Sequence, residues 1–277
     1  DDGWRLLAEQ LVEALAALFR GKPGQKVHFR EAHDLQAQLV GLYLHGSLAL
    51  GRFAEGVSDL DLLAVAGRRM PRAERLAVAS DMLDADRRPC PLEMSALYIG
   101  DLEPWRHPTL CQFHYSDYWA ETYRQLLDGR MRGCFLLDED FPDPDIACHV
   151  RLTSESGICI LGRPAEEVFP PVPEMDFWDS ISRGIEETGP CVSSPRQIVA
   201  DILNLVRVWS YGSEKRILSK YDAGCRAISR LPKRFRPIVE AALRAQYAGT
   251  TLPAYTPEML EALRRHLLGR IRDSAPV

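Results

Sequence analysis

The 277-residue sequence has no surplus of basic residues: 34 Lys and Arg stand against 39 Asp and Glu, a formal net charge of −5. A protein whose main partner is nucleic acid wants a basic surface against the phosphate backbone, so that class is set aside; a small cationic ligand fits the balance better. There is no Cys-x-x-Cys pair, and the cysteine count of seven is odd. Scattered thiols of this kind suit a reduced, cytoplasmic setting rather than a disulfide framework. No apolar run approaches the length of a membrane span. Trp4, Leu7, Leu11, Leu15 and Leu18 recur at helical spacing with Glu9 and Glu13 among them and no basic start, so they predict an amphipathic helix, not a signal peptide. The breaker Gly21-Lys22-Pro23-Gly24 that follows is too short for a phosphate-binding P-loop and has no Ser or Thr after the lysine. His114 has no second His or Cys at ligand spacing and reads as a hydrogen-bonded structural histidine. The acidic run from Asp138 to Asp145 contains Pro142 and Pro144 and no glycine at the turn position, so it reads as a solvated loop rather than a calcium loop.

Hydrophobic content of 46% and charged content of 26% are ordinary for a soluble globular protein, and the length suits one large or two ordinary domains. The informative stretch runs from Val40 to Val65. Two short apolar strands, Val40–Leu44 and Leu60–Val65, flank a glycine-punctuated connector that begins His45-Gly46-Ser47 and ends Ser58-Asp59-Leu60-Asp61. Side chains alternate along a strand, so Asp59 and Asp61 share a face and repel one another. Mg²⁺ suits such a pair, because it takes a few carboxylates, keeps some waters and accepts phosphate oxygens. Gly46 lets the backbone come close to a phosphate that Ser47 can hydrogen-bond. The same residues also suit a turn whose Asp and Ser cap its ends. A third acid, Glu93, stands alone in the strand-like run Pro91–Ile99, where an edge-strand charge is the other reading.

Pro71 opens a helix carrying Leu76, Ala79 and Leu83 between the Asp61 and Glu93 strands, which makes the first part an α/β sheet domain. Asp101–Pro108 reads as a loop, and Cys111–Trp119 as a strand running into a helix. Phe169-Pro170-Pro171-Val172-Pro173 reads as a stiff connection between domains covering 1–172 and 173–277. Beyond it the apolar spacing predicts a helical bundle. Its basic run, Arg226, Arg230, Lys233, Arg234 and Arg236, reads as a solvated face. The helix from Pro195 to Tyr211 is apolar on most sides but carries Gln197, Asp201, Asn204, Arg207 and Tyr211 on one drifting stripe. Such a stripe faces a water-filled cleft or pairs internally, since burying it unpaired is costly.

Gly-Ser followed a dozen residues later by Asp-x-Asp, with an acid on the next strand, resembles the nucleotidyltransferase superfamily typified by DNA polymerase β. Gly162-Arg163-Pro164-Ala165-Glu166-Glu167-Val168-Phe169, Pro171-Val172-Pro173-Glu174 and Arg230-Leu231-Pro232 extend that resemblance, over most of the chain, to the aminoglycoside 3''/9-adenylyltransferases, which confer streptomycin and spectinomycin resistance. The resemblance implies a polymerase-β-like nucleotidyltransferase domain followed by an all-α domain, with ATP as co-substrate and Mg²⁺, two ions, as cofactor. It implies that Asp59 and Asp61 hold metal, that Glu93 is general base and a further ligand, and that Gly46, Ser47 and Ser58 meet the triphosphate. Arg207, Lys220 and Tyr247 match residues with which the family's second domain reaches the nucleotide, Tyr247 one place beyond the pattern. Streptomycin-modifying members have a Trp where Tyr118 stands and an Asp where Gln197 stands; Asp201, one turn on, partly substitutes. The expectation is a monomeric cytoplasmic enzyme that adenylylates an aminocyclitol or aminoglycoside, spectinomycin before streptomycin, with neither nucleic acid nor membrane as partner. A nucleotidyltransferase acting on a protein or another small molecule, and a nucleotide sensor without turnover, are the alternatives.

Overall fold

The computed structural model describes residues 39–85, 90–186 and 194–276, so the helix expected over Trp4 to Leu18 and the breaker after it lie outside the described residues. The chain divides into two compact units between Val172 and Pro173.

The first unit is built on β1 (Leu39–His45), α1 (Gly46–Ala49), β2 (Leu60–Ala66), α2 (Arg72–Ala85) and β3 (Leu92–Tyr98). After them come β4 (Thr109–Cys111), β5 (Phe113–Tyr115), α3 (Ala120–Leu127), α4 (Phe135–Asp138), β6 (Phe141–Asp143), α5 (Ile146–Ser156) and β7 (Ile158–Gly162). The main sheet has the order β5-β3-β2-β1-β7, and β4 pairs with β6 in a separate ribbon. β1 and β2 are antiparallel, whereas β2 and β3 run parallel because α2 carries the chain back between them. Leu-Asp-Leu-Leu-Ala-Val-Ala of β2 is nearly all apolar because helices cover both faces of the sheet. Leu42, Leu44, Leu60, Leu62 and Met94 pack on one side with Ala79 and Met82 of α2 and Tyr123 of α3. Tyr43, Leu63, Val65 and Leu97 pack on the other with Ile146 and Val150 of α5. Strand alternation puts His45, Asp61 and Glu93 on this second side, in register across β1, β2 and β3.

Two expectations change here. The proline-rich stretch is more than a connection, because Val168 and Phe169 belong to the core on the α5 side and the Phe169 ring meets Tyr43 edge-on at 4.9 Å. The acidic run is not a solvated loop either. Asp138 pairs with Arg72, Asp140 with both Arg69 and Arg75, and Phe141–Asp143 is the strand β6. Sequence spacing gave no hint of this, since β6 exists only through its pairing with β4, more than thirty residues earlier.

The second unit is helical throughout its described residues: α6 (Glu174–Glu186), α7 (Pro195–Glu214), α8 (Lys220–Arg230), α9 (Arg236–Tyr247) and α10 (Pro257–Arg272). Ser194, Ser219 and Thr256 cap α7, α8 and α10, each side-chain oxygen accepting from an amide three residues on. Pro195 and Pro257 sit in the first turn, where the missing N–H costs nothing. α7 is the central helix; it packs against α6, α8, α9 and α10 and buries Leu203, Val206 and Trp209. The basic run is not simply a solvated face: Arg226 and Arg230 both pair with Glu214, at 2.8 and 3.2 Å, and Arg230 lies over the Trp209 ring.

Candidate active site

Asp59 immediately precedes β2, Asp61 is its second residue and Glu93 the second residue of β3. The parallel register sets Asp61 directly beside Glu93. One carboxylate oxygen from each of Asp59, Asp61 and Glu93 lies within 4.8 Å of the other two, and all three residues are half-buried. Burial first, then the charges of Asp61 and Asp59, push the Glu93 carboxyl up to about 8. Asp145 and Asp143 push the same way, so the end of the acidic run adds to the field around Glu93. Three acids competing for one small volume, all hard oxygen donors, fit a divalent cation such as Mg²⁺.

The turn after β1 completes the site. Gly46 has φ +68°, and a Cβ built there would stand 1.8 Å from Oδ2 of Asp61. Glycine is therefore required by the Asp61 carboxylate as well as by the backbone. Next to it, the Ser47 hydroxyl oxygen is buried with no hydrogen-bond partner among the described residues. An orphaned buried hydroxyl beside an acid cluster calls for a ligand group to satisfy it. Ser58 is placed differently: it is buried, and its Oγ accepts from the Ala54 amide at 3.0 Å, which holds the connector closed.

We expect Gly46→Ala to cost about 1–2 kcal/mol of stability from the left-handed backbone alone. Its Cβ also drives the Asp61 carboxylate aside, and a shift of that size lowers turnover by about 10²-fold. Thermal unfolding beside a turnover assay checks this. A folded variant with near-wild-type turnover would show that Asp61 need not stay where it is.

Behind the acids lies a pair of histidines that sequence reading passed over. His45 is 2% exposed, and its Nε2 stands 3.2 Å from Nδ1 of His149 on α5, with the rings edge to face. Burial lowers the pKa of both imidazoles; His149 lowers that of His45 further, whereas Asp143 opposes the shift at His149. One nitrogen of the contact therefore donates and the other accepts. His114 is held at 3.1 Å from the Ser95 hydroxyl, as a structural histidine should be.

Tyr118 is 82% exposed, and its ring meets Trp119 edge-on at 4.9 Å. Trp119 in turn meets Phe135, so an aromatic surface continues past Tyr118. In the second unit the polar stripe of α7 bonds largely to itself and its neighbours. Gln197 Nε2 donates to Asp201 Oδ1 at 2.8 Å, Arg207 to Asn204 at 3.4 Å, and the Tyr211 hydroxyl to Glu174 at 2.7 Å. Asp201 also edges a cavity of about 30 Å³ between α7 and α10, closed by Leu260, Leu263 and Arg264, room for a water rather than a drug. Lys220 opens α8, and the ring of its neighbour Tyr221 meets Tyr247 at 5.2 Å, which brings those two expected residues into one neighbourhood.

Residues 167–270 match the model of the aminoglycoside adenylyltransferase C-terminal domain. The helical domain is similar to the domain that this model describes. The aminoglycoside adenylyltransferase likeness extends beyond it. An aminoglycoside (3'') (9) adenylyltransferase of Klebsiella pneumoniae is 26% identical over 269 residues, 94% of this chain and 97% of the relative. A spectinomycin 9-adenylyltransferase of Staphylococcus aureus is 27% identical over 247 residues, 85% of this chain and 89% of the relative. The crystal structure of a spectinomycin adenyltransferase from Enterococcus faecialis, solved with ATP and spectinomycin, superposes with a TM-score of 0.70 at 20% identity, covering 88% of this chain and 98% of that one. The fold is thus that of an adenylyltransferase, and the resemblance carried by the motifs holds.

Proposed function

We propose that the protein transfers AMP from ATP to a hydroxyl of an aminocyclitol or aminoglycoside antibiotic, with spectinomycin preferred to streptomycin. The observation that carries the reading is the convergence of Asp59, Asp61 and Glu93 near a Ser47 hydroxyl that has no partner among the described residues, in a chain whose relatives are adenylyltransferases. Asp59 and Asp61, with Glu93, would hold Mg²⁺, which when bound neutralises charge on the phosphates. Ser47 and the Gly46 backbone receive the triphosphate; Arg207, Lys220 and Tyr247 are assigned to the nucleotide by the family resemblance. The acceptor hydroxyl oxygen forms a bond to the α-phosphorus as the bond to the bridging oxygen breaks, and pyrophosphate leaves. Glu93 takes the hydroxyl proton, a role for which its raised pKa suits it. Mass spectrometry of products made from ATP, Mg²⁺ and a panel of antibiotics tests the reading. No adenylylated drug, under conditions where ATP binds, would overturn it.

Substrate preference rests on α7 and Tyr118. Streptomycin carries two guanidinium groups and asks for carboxylates and a broad stacking face. Gln197 offers no charge, and its amide already occupies one oxygen of Asp201. A missing charge-assisted partner is worth about 1.5–3 kcal/mol, roughly 10–100-fold. Spectinomycin has no guanidinium and asks for less. We expect kcat/KM for spectinomycin to exceed that for streptomycin by such a factor. The double variant Tyr118→Trp with Gln197→Asp is expected to close the gap. Efficient streptomycin turnover by the unmodified protein would refute the preference.

A further inference from the structure

We propose that His149 is a positioning residue of the nucleotide site: its hydrogen bond to His45 fixes the end of β1, and with it the Gly46–Ser47 turn. The inference rests on the reading of that turn as the triphosphate site. His45 is the cross-strand neighbour of Asp61, which is itself the neighbour of Glu93, so the three side chains form one row on the α5 side of the sheet. α5 packs against both β1 and α1, and His149 is its link to the last residue before Gly46. The turn tolerates little displacement, because Gly46 already lies closer to the Asp61 carboxylate than any Cβ would allow. An apolar residue at position 45 would fill this strand end without stranding a polar atom, yet His45 keeps Nδ1 buried and unpartnered among the described residues. What the histidine adds over an apolar side chain is direction. A hydrogen bond fixes a strand end in angle as well as distance, whereas packing alone fixes mainly distance. Ser47 Oγ, two residues on, gains from that fixing, since it has no partner among the described residues.

The test compares His149→Phe, which keeps a ring against His45 but no hydrogen bond, with His149→Asn, whose amide replaces Nδ1. Mg·ATP binding is measured by calorimetry, KM for ATP and kcat by turnover, and melting temperature alongside. His149→Phe is expected to raise Kd and KM for ATP about tenfold with kcat within about threefold, and His149→Asn to recover most of the affinity. In a His45→Phe background the His149→Phe change should add nothing, since the bond is already gone. His149→Leu, which has no polar side-chain atom, serves as the non-bonding variant if His149→Phe does not fold. Unchanged ATP affinity in the non-bonding variants, or a loss that tracks melting temperature and is not recovered by Asn, overturns the inference. Wild-type protein that binds no Mg·ATP brings down the nucleotide reading itself, and this inference with it.

Discussion

Glu93→Gln is expected to lower turnover by about 10²–10⁴-fold while changing Mg·ATP affinity much less. Gln keeps the size and hydrogen-bonding reach of Glu but accepts no proton. The raised pKa of Glu93 adds two further signatures. In the folded protein Glu93 holds its proton up to about pH 8, whereas in the unfolded chain it loses it near the ordinary value of 4.5. Folding therefore takes up a proton between those values, and stability falls as pH rises from the lower to the upper one. Glu93→Gln removes that loss, so its melting temperature at neutral pH should rise even as turnover collapses. A cation bound by Asp59 and Asp61 cancels much of the like charge that holds the proton on Glu93. Mg²⁺ binding at about pH 7 should accordingly release a proton from the wild type and none from Glu93→Gln, which calorimetry in buffers of different ionisation enthalpy reads directly. Binding with no proton release from the wild type would show that the cation does not change the ionisation of Glu93, against the raised pKa. Loss of ATP binding together with turnover would make Glu93 chiefly a metal ligand.

What the sequence made legible were features with short-range causes. The Asp59–Asp61 spacing, the glycine after β1 and the apolar spacing of the helical unit each depend on neighbours within a few residues. Glu93 was legible because an acid in an apolar strand stands out against its surroundings. Asp143 and Asp145 were not, because their nearness to Glu93 comes from β6 joining β4 and from α5 folding back over the sheet. A run of acids and prolines looks the same whether it waves in water or pairs with Arg69, Arg72 and Arg75. His45 and His149 lie 104 residues apart, and nothing in either local pattern announces the other. Their contact follows from the packing of α5, itself an ordinary amphipathic helix in sequence. Ser58 has a partner that its place in the motif does not announce: its Oγ accepts from the Ala54 amide, which leaves the O–H as a donor. Gly46 reads in the sequence as a close approach to phosphate; in the structure the group pressed against it is the Asp61 carboxylate.

Asp61→Asn is expected to reduce turnover more than about 10³-fold, because the metal clamp it belongs to supplies several kcal/mol of transition-state stabilisation. Asp61 occupies the middle of the His45–Asp61–Glu93 row, so on the proposed function it stands between the triphosphate turn and the base. Asparagine fits the same volume against Gly46, and the backbone ladder of β2 is untouched, so the fold should survive. Stability should even rise slightly without metal, since Asp61 no longer sets a second charge beside Asp59. With less negative charge beside it, Glu93 also becomes a weaker base, which compounds the loss of the clamp. Mg²⁺-dependent ATP binding should weaken, whereas any binding of ATP in the absence of divalent cation should not. Thermal unfolding, calorimetry with and without Mg²⁺, and turnover with spectinomycin separate these effects. A folded Asp61→Asn protein that retains more than about a tenth of wild-type turnover would sink the carboxylate-clamp reading, since no ligand supplying several kcal/mol can be lost so cheaply. Equal loss of ATP affinity with and without Mg²⁺ would point instead to a displaced Gly46–Ser47 turn, and the defect would then resemble that of Gly46→Ala rather than the loss of a ligand.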